Sequence, residues 1–362
     1  MSLRIMPKSL LKTWIKHLQS RHFKVVGPTE RFGQYVFEEI HSADELVMDY
    51  PTSVLPPKKY LLPPRERLFT FNAKTMEMQP DIQAVPTVIL GVHTCDMHAV
   101  AMLDKVNNTG YADQHYKARR EATYLVSVEC LTPCMEGSFC KSMGTLTVPE
   151  NYDLHFTDLG SDYAVEVGSE KGAALLEGCS AFWEPSEADY ARVDAVIGAK
   201  WQHFPYRLEC DVTELPDLLA LSQKSPLWDE LGERCLACGM CTKVCPTCYC
   251  FDVTDEIDLN LEHGERIRQW DSCQIEKFAV VAGGHNFRSS RALRQRHRFM
   301  RKGKYQYEAF GLMGCVGCGR CAASCLVHIT PVDTFNALHR LRQAAQNGSA
   351  AENTASNQEV QA

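Results

Sequence analysis

Cys235, Cys238 and Cys241 stand three residues apart in RCLACGMCTKVCPTCYC, Cys245 follows four later, and Pro246 closes the run. This C-x2-C-x2-C-x3-C-P spelling is an iron–sulfur one: three close thiolates wrap three corners of a 4Fe-4S cube, and the fourth reaches a neighbouring cube. GCVGCGRCAASC repeats it with Cys315, Cys318, Cys321 and Cys325. The expectation is two clusters with crossed fourth ligands. Gly239 and Gly319, each directly after a ligand, free the backbone to curl and bring amide N–H groups to the sulfurs.

Zinc is the competing chemistry, because C-x2-C pairs also build tetrahedral sites. Zinc needs four ligands, usually as two separated pairs, whereas each run here supplies three close thiolates plus a fourth at a fixed offset. The N-terminal segment is amphipathic and lacks the apolar core of a secretion signal, so reduced thiols and a cytoplasmic location are expected.

The elements that must position these residues fall into two domains, as 362 residues with 45% hydrophobic content allow. No apolar run is long enough to cross a bilayer, and a net charge of −7 argues against wholesale nucleic-acid binding. Residues 1–225 read as an α/β domain. Residues 9–18 have helical spacing, 86–92 suit a strand buried on both faces, and Asp96 can cap a helix over 97–106. Cys95, between that strand and that helix, is placed for a lowered thiol pKa by the helix dipole. A second strand at 123–128 runs into Cys130, Cys134 and Cys140. Ligands gather at strand ends in parallel sheets, so Cys95, Cys130, Cys134 and Cys140 are candidates for a third cluster. Their spacing is irregular, and buried packing thiols are the plainer alternative. The Pro-rich stretch 54–65 reads as an extended surface strap.

The second domain begins near residue 226. Helical signals at 275–281 and 291–301 point to an all-helical ferredoxin-like dicluster domain over 226–341, and the small polar residues of 342–362 point to a disordered tail. The basic stretch 288–304 either offsets the charge of anionic clusters or forms a solvated face. Cys248 and Cys273 are secondary ligand candidates, while Cys179, Cys210 and Cys250 carry no assignment.

Several stretches, among them LLPPRERLFTF, GVHTCDMHAVAMLDKV, FCKSMGT, CPTCYCFDV, RQWDSC, AGGHNFR and GCVGCGRC, occur in this order over most of the chain. In them the sequence resembles the β subunit of cytoplasmic sulfhydrogenases, the NAD(P)-linked NiFe hydrogenases, and the related A subunit of anaerobic sulfite reductase. The resemblance implies an electron-relay subunit beside a flavin- and NAD(P)H-binding subunit. Its catalytic partner would be a NiFe hydrogenase pair or, in the sulfite reductases, a sirohaem subunit. The family's cluster ligands fall on the eight motif cysteines, and Cys95, Cys130 and Cys140 also match. Ser138 stands where the family often has a cysteine two before Cys140, which leaves Cys134 as the substitute ligand. Leu326 replaces the usual proline after the second run without removing a ligand.

A cluster held by four thiolates has no open position for substrate, so the expectation is an electron conduit rather than a catalytic chain. Neither a G-x-G-x-x-G after a strand nor a P-loop occurs, so no flavin or nucleotide site is expected in this chain. The rival is that the N-terminal cysteines themselves reduce sulfur or a disulfide.

Overall fold

The computed structural model of the chain describes residues 2–359, with side chains through 347. In chain order its strands are β1 (Ser2–Pro7), β2 (Lys24–Arg31), β3 (Gln34–Glu39), β4 (Arg65–Asn72), β5 (Met78–Pro80), β6 (Thr87–His93), β7 (Thr123–Val128), β8 (Leu154–Asp158), β9 (Asp162–Val167), β10 (Phe251–Ile257) and β11 (His263–Trp270). Seven of them form a sheet in the order β1-β9-β8-β7-β6-β2-β3. The four central strands β8, β7, β6 and β2 run parallel, and antiparallel partners close both edges. The N-terminal part is thus a sheet-rich region with helices, as the strand and helix patterns require.

β6 is buried at every position, which suits an apolar run without polar alternation. The helices Thr94–Asn108 and Gln114–Ala122 carry the chain from β6 to β7, and His93 pairs with Val128 in parallel register. The two thiol-bearing segments therefore leave the sheet side by side. Helix Leu11–Ser20 buries Trp14, Ile15 and Leu18, as its spacing predicts.

The structure changes several details. The helix after β6 begins at Thr94, with His93 at its N-cap and no side-chain cap. Asp96 is buried inside the first turn and serves as an ion-pair partner instead. The Pro-rich strap is not a surface feature: Pro57–Tyr60 forms a 3-10 turn, and Lys58, Leu61 and Leu62 are buried. Pro56 and Pro57 are buried with them.

The expectation of an all-helical second domain is corrected. β10 and β11 form a hairpin within it, and β11 pairs antiparallel with β4 in a sheet ordered β10-β11-β4-β5. This sheet joins residues on both sides of the boundary drawn at 225. Arg268 on β11 and Arg119 both reach Glu66 on β4 at 2.7 Å, with all three side chains nearly buried. The helix expected over 275–281 is only a 3-10 turn, Glu276–Ala279, whereas that at 291–301 is present as Arg291–Met300. A π-helical segment, Arg301–Tyr305, continues it. The last helix runs Pro331–Glu359, through most of the tail where disorder was expected, because alanine and glutamine favour helix. Residues 360–362 lie outside the described residues.

Candidate iron–sulfur centres

Both cysteine motifs fold the same way. Ala237 and Gly317 have φ of 53° and 69°, and Gly239 and Gly319 both have φ of 76°, so left-handed residues recur at matching places. A one-turn helix follows each, Met240–Lys243 and Arg320–Ala323. These bends aim donors at sulfur: the Ala237 N–H donates to Cys235 Sγ at 3.3 Å, and the Ile329 N–H to Cys325 Sγ at 3.3 Å. Gln295 Nε2 donates to Cys235 Sγ at 2.8 Å.

The two motifs exchange their last cysteines. Cys235, Cys238 and Cys241 line one small cavity together with Cys325, closed by Gln274, Gln295, Arg298 and Ile329. Cys245 lies within electrostatic range of Cys315, Cys318 and Cys321, as well as of Cys241 in its own run. Among the described residues no three His, Cys, Asp or Glu side chains converge on a point that one ion could occupy.

Buried cations test whether such groups fit. Arg298 and Lys302 are 4% and 7% exposed, and among the described residues neither has a carboxylate partner. Burial works against the charge of Arg298, but the thiols of Cys241, Cys321, Cys245 and Cys248 overcome it and raise its pKa. Lys302 is treated alike by burial and by Cys245, Cys248 and Cys315, and its Nζ donates to Thr247 Oγ1 at 2.6 Å. A buried cation without a counter-charge is strongly unfavourable. A four-thiolate cube, with a net charge of about −2 when oxidised, supplies that counter-charge, so the donor set and the charge balance both fit 4Fe-4S clusters. The basic stretch is therefore split: Arg294, Arg298 and Lys302 are buried, Arg296 is half-buried and Arg291 lies exposed.

Lys58, from the Pro-rich segment, is a third buried cation. Its Nζ donates to the carbonyls of Cys245 and Cys248, both at 2.6 Å, and lies 4.4 Å from the Trp270 ring centre. Burial draws its pKa down to about 8, opposed by the Cys248 and Cys245 thiols.

The four N-terminal cysteines meet at the second motif. Thr94 Oγ1 donates to Cys130 Sγ at 3.6 Å. Cys140 lies in range of Cys130, Cys134 and Cys318, and Cys95 in range of Cys318 and Cys140. Their loop packs on the motif's backbone, the Phe139 N–H donating to Gly317 O at 2.7 Å. The expected lowering of Cys95 by the helix dipole does not hold; burial, with the Asp96 charge second, pushes it well up. Burial also pushes Cys130 up to about 12 and Cys134 up to about 11. These thiols give up protons only when a metal displaces them.

Cys179 and Cys210 pack against the two main apolar cores. Cys248 lies in electrostatic range of Cys245, and Cys250 in that of Cys273. Sequence reasoning missed Lys58, Gln295 and the role of Asp96; each acts across sixty positions or more, where no local pattern carries a signal.

Crossed thiolate sets on paired motifs, with buried cations between them, define an iron–sulfur dicluster protein. The family model of the 4Fe-4S dicluster domain matches residues 234–329. The chain is 36% identical over 315 residues to sulfhydrogenase 2 subunit beta of Pyrococcus furiosus, covering 86% of this chain and 91% of that protein. It belongs to the sulfhydrogenase β-subunit family. No solved structure gives a significant match. Among the described residues no helix is long and apolar enough to cross a membrane.

Proposed function

We propose that this chain is the electron-relay subunit of a heteromeric hydrogenase, carrying two 4Fe-4S clusters in the crossed motifs and a third on Cys95, Cys130, Cys134 and Cys140. The observation that carries the reading is the placement of three thiol sets in contact order, from the Cys235 cavity through Cys245 and Cys315 to the N-terminal loop. When bound, such clusters accept and release single electrons. The chain's own residues set the conditions: Arg298 and Lys302 favour added negative charge, N–H donors hold the sulfurs, and buried packing excludes water. Partners are a flavin- and NAD(P)H-binding subunit and NiFe hydrogenase subunits. The sulfhydrogenase relative favours these over the sirohaem subunit of a sulfite reductase. The location is cytoplasmic.

Anaerobic purification, iron and acid-labile sulfide per chain, and a reductive titration followed by electron paramagnetic resonance test the reading. Three cubes' worth of iron and signals at low potential are expected. A chain free of labile sulfide, or one whose clusters stay silent throughout, would sink it.

One observation favours a second reading for the N-terminal site. Cys130 and Cys134 border an open cavity with His93, Glu129, Asp158 and Tyr163, which could admit a sulfur compound or a disulfide. In the relay reading Cys134→Ser alters a cluster spectrum; in the second it abolishes sulfur reduction while every cluster signal persists.

A further inference from the structure

Five cysteines remain once the crossed motifs and the N-terminal group are filled, and two of them, Cys250 and Cys273, stand beside each other. Cys250 and Cys273 line the same small cavity, and each thiol acts on the titration of the other. The hairpin fixes this approach. Phe251 opposes Trp270 in the β10–β11 ladder, and the Asp271 N–H donates to Cys250 O at 2.9 Å, so the ladder runs straight into the pair. Gln274 Nε2 donates to Cys273 Sγ from the other side at 3.6 Å. Both sulfurs face a small cavity also lined by Thr247, Cys248, Arg301 and Lys302.

Two neighbouring thiols suit a dithiol better than a cube, whose corners sit on separate iron atoms. The pair is also next to the relay. Cys248, on the same cavity, lies in electrostatic range of Cys245, and Lys302 acts electrostatically on both Cys245 and Cys250.

We propose that Cys250 and Cys273 form a reversible redox pair, a two-electron store wired to the one-electron clusters. In the oxidising direction the two S–H bonds break, one S–S bond forms, two protons leave, and two electrons pass singly to two oxidised clusters. The reverse step takes two electrons from reduced clusters, cleaves the disulfide and takes up two protons. Such a pair matches two-electron hydride chemistry on one side of a relay to single-electron steps on the other. The neighbouring Cys273 thiol holds the Cys250 thiol below the ordinary thiol range, and thiol–disulfide interchange proceeds through the thiolate. The inference rests on the relay reading.

The test uses the full-length chain with its clusters, poised anaerobically at a series of potentials, alkylated and mapped by peptide mass spectrometry. Cys250 and Cys273 should lose reactivity together, as one linked peptide pair, with the steepness of a two-electron couple. Cys250→Ser and Cys273→Ser should keep wild-type iron, sulfide and cluster spectra, lose the linked peptide, and take two fewer electrons per chain in a reductive titration. The inference is overturned if both thiols stay alkylatable at every potential, or if either variant loses a cube's worth of iron. The relay reading fails by a different result, a wild-type chain without labile sulfide, in which the alkylation pattern is still readable.

Discussion

Arg320 and Asp96 form a bidentate ion pair, both contacts at 2.6 Å and both side chains no more than 2% exposed. Arg320 precedes Cys321 in the second motif, and Asp96 follows Cys95 in the first helix after β6. The pair therefore ties the N-terminal thiols to the dicluster region across 224 positions. Ser53 completes it, accepting from Arg320 Nε through its carbonyl at 3.0 Å.

Removing one partner leaves a buried charge uncompensated. Asp96→Asn should lower stability by about 3–5 kcal/mol, while the apolar pair Asp96→Leu with Arg320→Met should recover much of it. Anaerobic denaturant unfolding of the single and double variants checks this. Equal losses in the single and the double variant would show that the pair's charge is not what matters.

Arg298 and Lys302 should set cluster potential. A unit charge several ångströms away, at an effective dielectric near 20, changes the energy of an added electron by about 2 kcal/mol, on the order of 100 mV. Arg298→Gln and Lys302→Gln should each make reduction harder, by roughly 50–100 mV after partial relaxation. Potentiometric titration reads the shift. An unchanged or raised potential would mean that neither cation serves the clusters.

What the sequence disclosed follows the range of the interactions. The ligand runs are legible because one tight loop supplies three thiolates, and their spacing is the loop's geometry. β6 and β7 are legible because an all-apolar run has few other uses. The motif also led to the expectation that Cys245 and Cys325 are exchanged, and Cys325 does line the cavity of the first trio. By contrast β10, FDVTDEI, lies exposed along its whole length, so it presents no buried face for alternation to mark. β11 finds β4 nearly two hundred positions away. Lys58 sits among prolines that signal only irregular backbone, and nothing local shows that its amine caps two carbonyls beside a ligand. The basic stretch was ambiguous because one helix buries Arg298 and leaves Arg291 exposed, a division that charge content alone does not contain.

Ligand exchange predicts which pairs of substitutions share a cluster. Cys235 and Cys325 border one cavity, so Cys235→Ser with Cys325→Ser should lose one cube's worth of iron. Cys235→Ser with Cys245→Ser should lose two. Iron and sulfide per chain decide the matter, and the reverse order, two cubes lost in the first double variant and one in the second, would exclude exchange.

Gly317 tests whether the N-terminal thiol loop depends on the second motif. Its φ is 69°, and a Cβ there would meet Cys140 N and Phe139 C at 2.7 Å. These are backbone atoms, so no side-chain rotation relieves the clash. Gly317→Ala adds left-handed strain of about 1–3 kcal/mol and should also push the Phe139 amide from the Gly317 carbonyl. The N-terminal cluster should then lose iron or change its spectrum before the Cys245 cluster does. Gly311, also left-handed at 72° but with open space around a Cβ, is the control: Gly311→Ala carries the strain without the clash. If both variants behave alike, the loop's docking on Gly317 does not hold the third site together.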